Sequence, residues 1–230
     1  MSSERKQNIV AIDGPAGAGK STVAKLVAER LKYFYIDTGA MYRALTLKAI
    51  KEGIDFKDEK ALVKISHSAD IQLKRDKEGN LKVFLDGKEV TKSIRDREVN
   101  QHISLLSKIK GVRKNMVARQ REMGRKGRVV LEGRDIGTVV FPRARYKFYL
   151  DANFSERVAR RHREFISLGK KISLAEVKRD LLRRDRSDKL RKVAPLKKAP
   201  DAVYIDTTCL SIEEVVERIL DCIRGDLRKR

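Results

Sequence analysis

The segment Gly14-Pro-Ala-Gly-Ala-Gly-Lys-Ser21 carries the residues best suited to chemistry. It is a glycine, four open positions, then Gly-Lys-Ser, directly after the apolar run Ile9-Val-Ala-Ile12. This is the phosphate-loop pattern, set between a strand and a helix as it must be. Glycines permit backbone conformations that turn successive N–H groups toward phosphate oxygens, and a helix opening near Lys20 adds its positive N-terminal end. Lys20 is expected to reach the β- and γ-phosphates, and the Ser21 hydroxyl to sit on Mg²⁺. The expected triphosphate contacts are Gly14, Pro15, Ala16, Gly17, Ala18, Gly19, Lys20, Ser21 and Thr22. A chance match would occur in roughly one per cent of chains this long. The loop alone names no reaction, because motors, GTPases, transporters and small-molecule kinases all use it.

A phosphoryl acceptor would have to be found elsewhere. Bringing two polyanions together needs their repulsion neutralised, and arginine suits the task because its planar fork binds phosphate bidentately and stays charged. Three candidates stand where a parallel sheet presents ligands, at the carboxyl ends of strands. They are Arg43 after Asp37-Thr-Gly-Ala-Met-Tyr42, Arg134 in Glu132-Gly-Arg-Asp135, and the cluster around Arg184 and Arg191. Each has a plainer reading when taken alone. Arg43 would be a solvated helix residue, Asp135 a helix cap, and the Arg184–Arg191 run an exposed charged helix stitched by pairs such as Arg184 with Asp188. His67, His102 and His162 lack metal-ligand spacing, so no metal beyond Mg²⁺ and no organic cofactor is implied.

The elements that must position these residues follow from periodicity. Ile9–Ile12 reads as a buried strand, and Val23, Leu26, Val27 and Leu31 recur at helical spacing from Lys20 onward. A second strand over Tyr33–Ile36 and a helix over about Ala40–Lys51 complete a βαβ unit, which implies a parallel sheet. Asp70–Arg75, Lys82–Leu85 and Lys88–Val90 then read as short antiparallel strands, with Asp86-Gly87 a hairpin signal. Helices are expected over Arg97–Ser107 and Val112–Met123, strands over Val129–Leu131 and Lys147–Leu150, and arginine-rich helices from about Ser155 and Ser173. Val203–Ile205 reads as the last strand, and Ser211-Ile-Glu-Glu214 as a capping box opening the closing helix.

Composition limits the alternatives. The chain has 230 residues, enough for a core without staples, and two cysteines, Cys209 and Cys222, expected to be reduced thiols. No apolar run approaches a membrane span and the polar start lacks a signal-peptide core, so a cytoplasmic protein is expected. Lys and Arg number 54 against 32 Asp and Glu, a formal net charge of +22, while aromatics are sparse and Trp is absent. Basic surface serves nucleic acids or anionic small molecules. The shortage of stacking platforms favours phosphate-rich small substrates, with no nucleic-acid partner.

With these residues in view, the chain resembles the bacterial cytidylate kinases. Ile12-Asp-Gly-Pro-Ala-Gly-Ala-Gly-Lys-Ser21, Asp37-Thr-Gly-Ala-Met-Tyr-Arg43, Gly133-Arg-Asp-Ile-Gly-Thr-Val-Val-Phe-Pro142, Arg184-Asp185 with Asp188 and Arg191, and Val193-Ala-Pro-Leu196 fall in that family's order over nearly the whole chain. The resemblance implies an α/β fold, a P-loop three-layer sandwich around a five-stranded parallel sheet. It implies a core over 1–37, 107–156 and 194–230, a monophosphate-binding insertion over about 38–106 with its antiparallel piece at about 68–92, and a helical lid over about 157–193. Thr38, Ser104, Arg113 and Asp135 would line the cytosine pocket, and Arg43 and Arg134 would hold the acceptor phosphate. Arg184 and Asp188 would contact sugar or phosphate, and Arg191 the phosphates during transfer. Lys20, Arg134, Arg184 and Arg191 would be the groups acting in transfer. Arg157, Arg160 and Arg161 remain alternatives for contact with the triphosphate, with Arg157 taken as the ATP-site residue. Residue 132 is Glu where the family commonly has Asp, which leaves its link to the Mg²⁺ water shell open. The implied activity is ATP–Mg²⁺-dependent phosphorylation of CMP and dCMP by a monomer. Another small-molecule kinase accepting UMP, AMP or shikimate, and a nucleic-acid-binding P-loop ATPase, are the alternatives.

Overall fold

The computed structural model describes residues 8–228. In chain order the first elements are β1 (Ile9–Asp13), α1 (Lys20–Leu31), β2 (Phe34–Asp37), α2 (Thr38–Lys51), α3 (Glu59–Ser68), β3 (Ile71–Arg75), β4 (Leu81–Leu85) and β5 (Lys88–Glu89). They continue with α4 (Arg97–Leu106), α5 (Lys110–Gly124), β6 (Val129–Gly133), β7 (Tyr146–Asp151), α6 (Phe154–Ser167), α7 (Leu174–Leu190), β8 (Val203–Asp206) and α8 (Ile212–Arg228). The chain packs as two units, one running to Tyr35 and resuming at Lys126, the other spanning Ile36–Arg125. Most of the polar start, residues 1–7, lies outside the described residues.

The first unit carries the expected five-stranded parallel sheet, in the order β2-β6-β1-β7-β8. β1 pairs in parallel with β6 and β7, and β7 with β8. Every residue of β1 is buried. A strand covered on both faces takes a continuous apolar run rather than an alternating one, which is why Ile9–Ile12 shows no period of two. The register sets Asp13 opposite Gly133 and Tyr149, so the loops after β1 and β6 leave the sheet side by side. α6 and α7 bury Val158, Val177 and Leu181 against Ala16 of the phosphate loop, with Phe154, Phe165 and Ile172 packed on them. Fully burying a Val or Leu is worth about 1.5–3 kcal/mol. An exposed pair such as Arg183–Asp180 adds about 1 kcal/mol at most, so apolar contact, not surface charge, seats α7.

In the second unit β3, β4 and β5 form the expected antiparallel sheet, with Ile71 opposite Leu85 and Arg75 opposite Leu81. Asp86 and Gly87 both adopt positive φ (49° and 79°), the geometry a two-residue hairpin needs to match strand twist. α2 is capped by Asp37, whose Oδ1 accepts from the Ala40 N–H at 2.8 Å. That cap starts the helix at Thr38, two residues before the apolar periodicity does.

Three features exceed what periodicity offered. β2 covers Phe34–Asp37, one residue later than expected, because pairing begins where the Phe34 N–H meets Arg128 O. α3 is short, capped by Asp58 on Ala61, and buries only Leu62, Ile65 and Ser66. A wide helical turn over Ile136–Val140 follows β6, held by a carboxylate 123 residues away in sequence. The capping boxes Ser173/Glu176 and Ser211/Glu214 both form their reciprocal bonds.

Candidate active site

In the first unit the phosphate loop joins β1 to α1. Gly14, Gly17 and Gly19 have φ of 149°, 81° and 83°, which L side chains rarely adopt. A Cβ on Gly14 would stand 1.9 Å from the backbone oxygen of Leu150. α1 opens at Gly19 with no side-chain cap, leaving its first-turn N–H groups for an anion. Ser21 and Thr22 are exposed in that first turn.

Lys20 is buried, and its Nζ donates to Pro15 O at 2.6 Å. Burial, and then the Arg134 guanidinium, push its pKa down from 10.5 to about 7, against the pull of Glu132, Asp188 and Asp13. At about 1.4 kcal/mol per unit, the charged form is disfavoured by on the order of 5 kcal/mol. A bound polyanion would offset that penalty.

Of the arginines expected around a second phosphate, Arg134 acts on this lysine, and Arg134 and Arg191 share the carboxylate of Asp188. Arg134 Nε donates to Asp188 Oδ2 at 2.8 Å, and Arg191 Nη1 lies 3.8 Å from Asp188 Oδ1, so one carboxylate of α7 stands between two guanidiniums. Burial works to lower the Arg134 pKa, but Asp188 and Glu132 outweigh it and the net shift is upward. Arg191 reaches Asp135 at 3.5 Å and donates to Ala194 O at 2.6 Å. The Leu196 N–H donates to Asp188 O at 2.8 Å. Those last bonds explain the Val193–Leu196 motif, which fastens the chain to the end of α7. Arg184 is half-buried one turn before Asp188 on the same helix. Arg157 is buried and donates to Ala16 O and Asp185 Oδ2, at 3.1 and 2.7 Å. Arg160 donates to Thr207 through both terminal nitrogens, and Arg161 to Glu164.

Two carboxylates carry roles that sequence reasoning did not assign. Asp13 accepts from the Ile136 and Gly137 N–H groups, both at 2.8 Å, and so holds the turn after Gly133-Arg-Asp135. Burial raises its pKa to about 6, against those two bonds. Glu132 Oε1 accepts from Tyr35 OH at 2.9 Å. The signal for Asp13 was an acidic residue ending an otherwise apolar strand.

In the second unit Thr38 is buried at the start of α2, and Arg43 lies one turn on. A Cβ on Gly39 would meet Arg43 Nη1 at 3.0 Å and Asp37 Oδ1 at 3.2 Å, so a larger residue would push that guanidinium and carboxylate back by a few tenths of an ångström. Arg113 of α5 is buried 5.7 Å from the Tyr42 ring and donates to Ser107 O at 3.2 Å. Ser107 Oγ donates in turn to Ser104 O at 3.4 Å. The unit thus joins Arg113, Tyr42 and the Ser104 turn.

A family model described as Cytidylate kinase matches residues 10–225. The chain belongs to the cytidylate kinase family. It is 52% identical over 214 residues to a Cytidylate kinase of Geobacillus sp. (strain WCH70), covering 93% of this chain and 95% of that protein. It is 48% identical over 223 residues to the Cytidylate kinase of Bacillus subtilis (strain 168), covering 97% and 99%. A solved shikimate kinase from Acinetobacter baumannii, in complex with shikimate, aligns with a TM-score of 0.45 at 20% identity, covering 96% of this chain and 94% of that one. Family membership carries a nucleotide-binding kinase, and no described helix is long and apolar enough to cross a membrane.

Proposed function

We propose that this chain transfers the γ-phosphoryl group of ATP to the 5′-phosphate of CMP or dCMP, yielding the nucleoside diphosphate and ADP. The observation that carries the reading is the cluster of Lys20, Arg134 and Arg191 around Asp188 at the edge of the phosphate loop. Family membership supplies the nucleotide. The acceptor oxygen is already an anion, so no general base is required, and catalysis reduces to alignment and charge neutralisation. Lys20 follows the transferring group, while Arg134 and Arg191 donate to phosphate oxygens in place of their carboxylate partners and Arg184 donates beside them. Thr38, Arg43, Ser104 and Arg113 are assigned to the monophosphate and its base, and Asp135, held by Arg191, to the same substrate. The enzyme is placed in the cytoplasm.

Mg²⁺ fits the residues present. It binds hard oxygen donors, keeps several waters and leans on substrate phosphates, so it needs one or two protein ligands. The exposed Ser21 hydroxyl in the first turn of α1 is such a donor. When bound there, the ion supplies charge neutralisation at the β- and γ-phosphates.

An acceptor panel with ATP, Mg²⁺ and coupled detection of ADP tests the reading. CMP and dCMP should release ADP, while UMP, AMP, shikimate and RNA release far less. ADP release that needs RNA and ignores CMP would overturn it.

A further inference from the structure

The phosphate loop is held from outside by a buried ion pair. Two consecutive loop carbonyls accept from cations: Pro15 O from Lys20 and Ala16 O from Arg157. A peptide unit is planar and trans, so fixing the direction of the Ala16 carbonyl fixes the Gly17 N–H in the opposite direction. With the carbonyl held on Arg157, that N–H points away from Arg157, as a donor to a bound phosphate would have to. Arg157 cannot swing freely. Its Nε donates to Ala152 O at 3.1 Å, its guanidinium lies 5.2 Å from the Phe154 ring, and its Nη1 is shared between Ala16 O and Asp185 Oδ2. The loop also presses on it from the backbone side, since a Cβ on Gly17 would stand 2.8 Å from Arg157 O.

Asp185 is the other half of the device. It is buried on α7, three residues before Asp188, and therefore on the same side of that helix. Its Oδ1 is buried with no hydrogen-bond partner among the described residues. A half-satisfied buried carboxylate is a poor means of stabilising a fold, where apolar residues of similar volume do as well or better. It serves position instead. Its charge also acts on Arg134.

We propose that Arg157 and Asp185 form a positioning clamp for the triphosphate loop. The pair aims the Ala16–Gly17 peptide at the phosphates and sets the loop in register with the Arg134–Asp188–Arg191 cluster through α7. Neither residue is then a catalytic residue. The inference deepens the kinase reading and rests on it for the identity of the triphosphate.

Asp185→Asn, Arg157→Gln and their combination test the clamp, each measured for ATP binding by calorimetry and for steady-state kinetics. Asp185→Asn keeps the shape and removes the charge. The double variant Arg157→Gln/Asp185→Asn removes both charges, so no unpaired charge is left buried. Each should weaken ATP by about tenfold to a hundredfold, as small misplacements near a reacting group do, with KM for CMP within about twofold of the parent. The double variant should lose clearly less than the sum of the two single losses, the mark of residues acting as one unit. ATP affinity within about twofold of the parent in the folded double variant overturns the clamp. Equal losses for ATP and CMP, or a double variant that does not fold where the parent does, also overturn it and assign the pair to the fold. Loss in Arg157→Gln alone with none in Asp185→Asn would make Arg157 a direct ligand. The calorimetry needs no acceptor, so a parent enzyme inactive on CMP would sink the functional reading while leaving the clamp to its own result.

Discussion

At the scale of single residues, Lys20 is where burial and function meet. Its pKa near 7 leaves it mostly neutral at pH 8 and mostly charged at pH 6. A polyphosphate favours the charged form, so ATP binding above pH 7 must draw a proton onto the lysine. The sign follows. Proton uptake at pH 8 should approach one per ATP, fade toward pH 6, and make affinity fall as pH rises, by up to about tenfold per unit. Calorimetry in buffers of different ionisation enthalpy, with EDTA present to exclude the metal, measures it. Lys20→Ala should abolish the pH-dependent uptake and turnover together while circular dichroism stays unchanged. The same depression makes Lys20 a stability cost, complete below about pH 7 and fading as pH rises toward 10.5. Asp13 runs the other way on the acid side. Its raised pKa gives stability that is full below 3.8 and lost as pH rises through about 6.

At the scale of elements, the glycines of the loop differ from glycines in turns, and substitution should separate them. Gly14→Ala must push a Cβ into the Leu150 backbone carbonyl, which cannot rotate away. Gly79→Ala meets nothing within 4 Å and suffers only the positive φ of 81°. Denaturant melts should show a loss of about 3 kcal/mol or more for the first, from overpacking plus strain, and about 1 kcal/mol for the second. Similar losses at both positions would mean that φ alone sets the cost. The same contrast explains what the sequence made legible. The loop, the sheet strands and the Asp86-Gly87 hairpin were readable because each depends on residues adjacent in the chain. The Arg134–Asp188–Arg191 cluster was nameable residue by residue through resemblance, but its geometry was not, since it joins a loop to a helix 54 residues away. Asp13 and Asp185 escaped assignment for the same reason. Their partners, at Ile136 and Arg157, are 123 and 28 residues distant, and no local period marks them.

At the scale of the whole molecule, the net charge of +22 has two separable consequences. The cations of the site, Lys20 and Arg191, are buried, while many others, such as Arg163 and Arg125, are exposed. Exposed charges draw polyanions over a distance set by salt, whereas buried pairs are screened much less. Capture of ATP should therefore depend on ionic strength and the chemical step should not. Raising ionic strength from about 0.01 M to about 1 M shrinks the Debye length from roughly 30 Å to 3 Å. Across that range kcat/KM for ATP should fall by about tenfold or more, through the association rate, with kcat held within about twofold. Stopped-flow association and steady-state assays read the two separately. A protein built to track nucleic acid would respond differently, since its affinity for RNA would fall as a steep power of salt with a slope set by the number of phosphates neutralised. Its ATP turnover would rise with RNA. A salt-independent kcat/KM would show that the surplus charge does not steer substrate, and RNA-stimulated ADP release would assign that charge to a nucleic-acid partner.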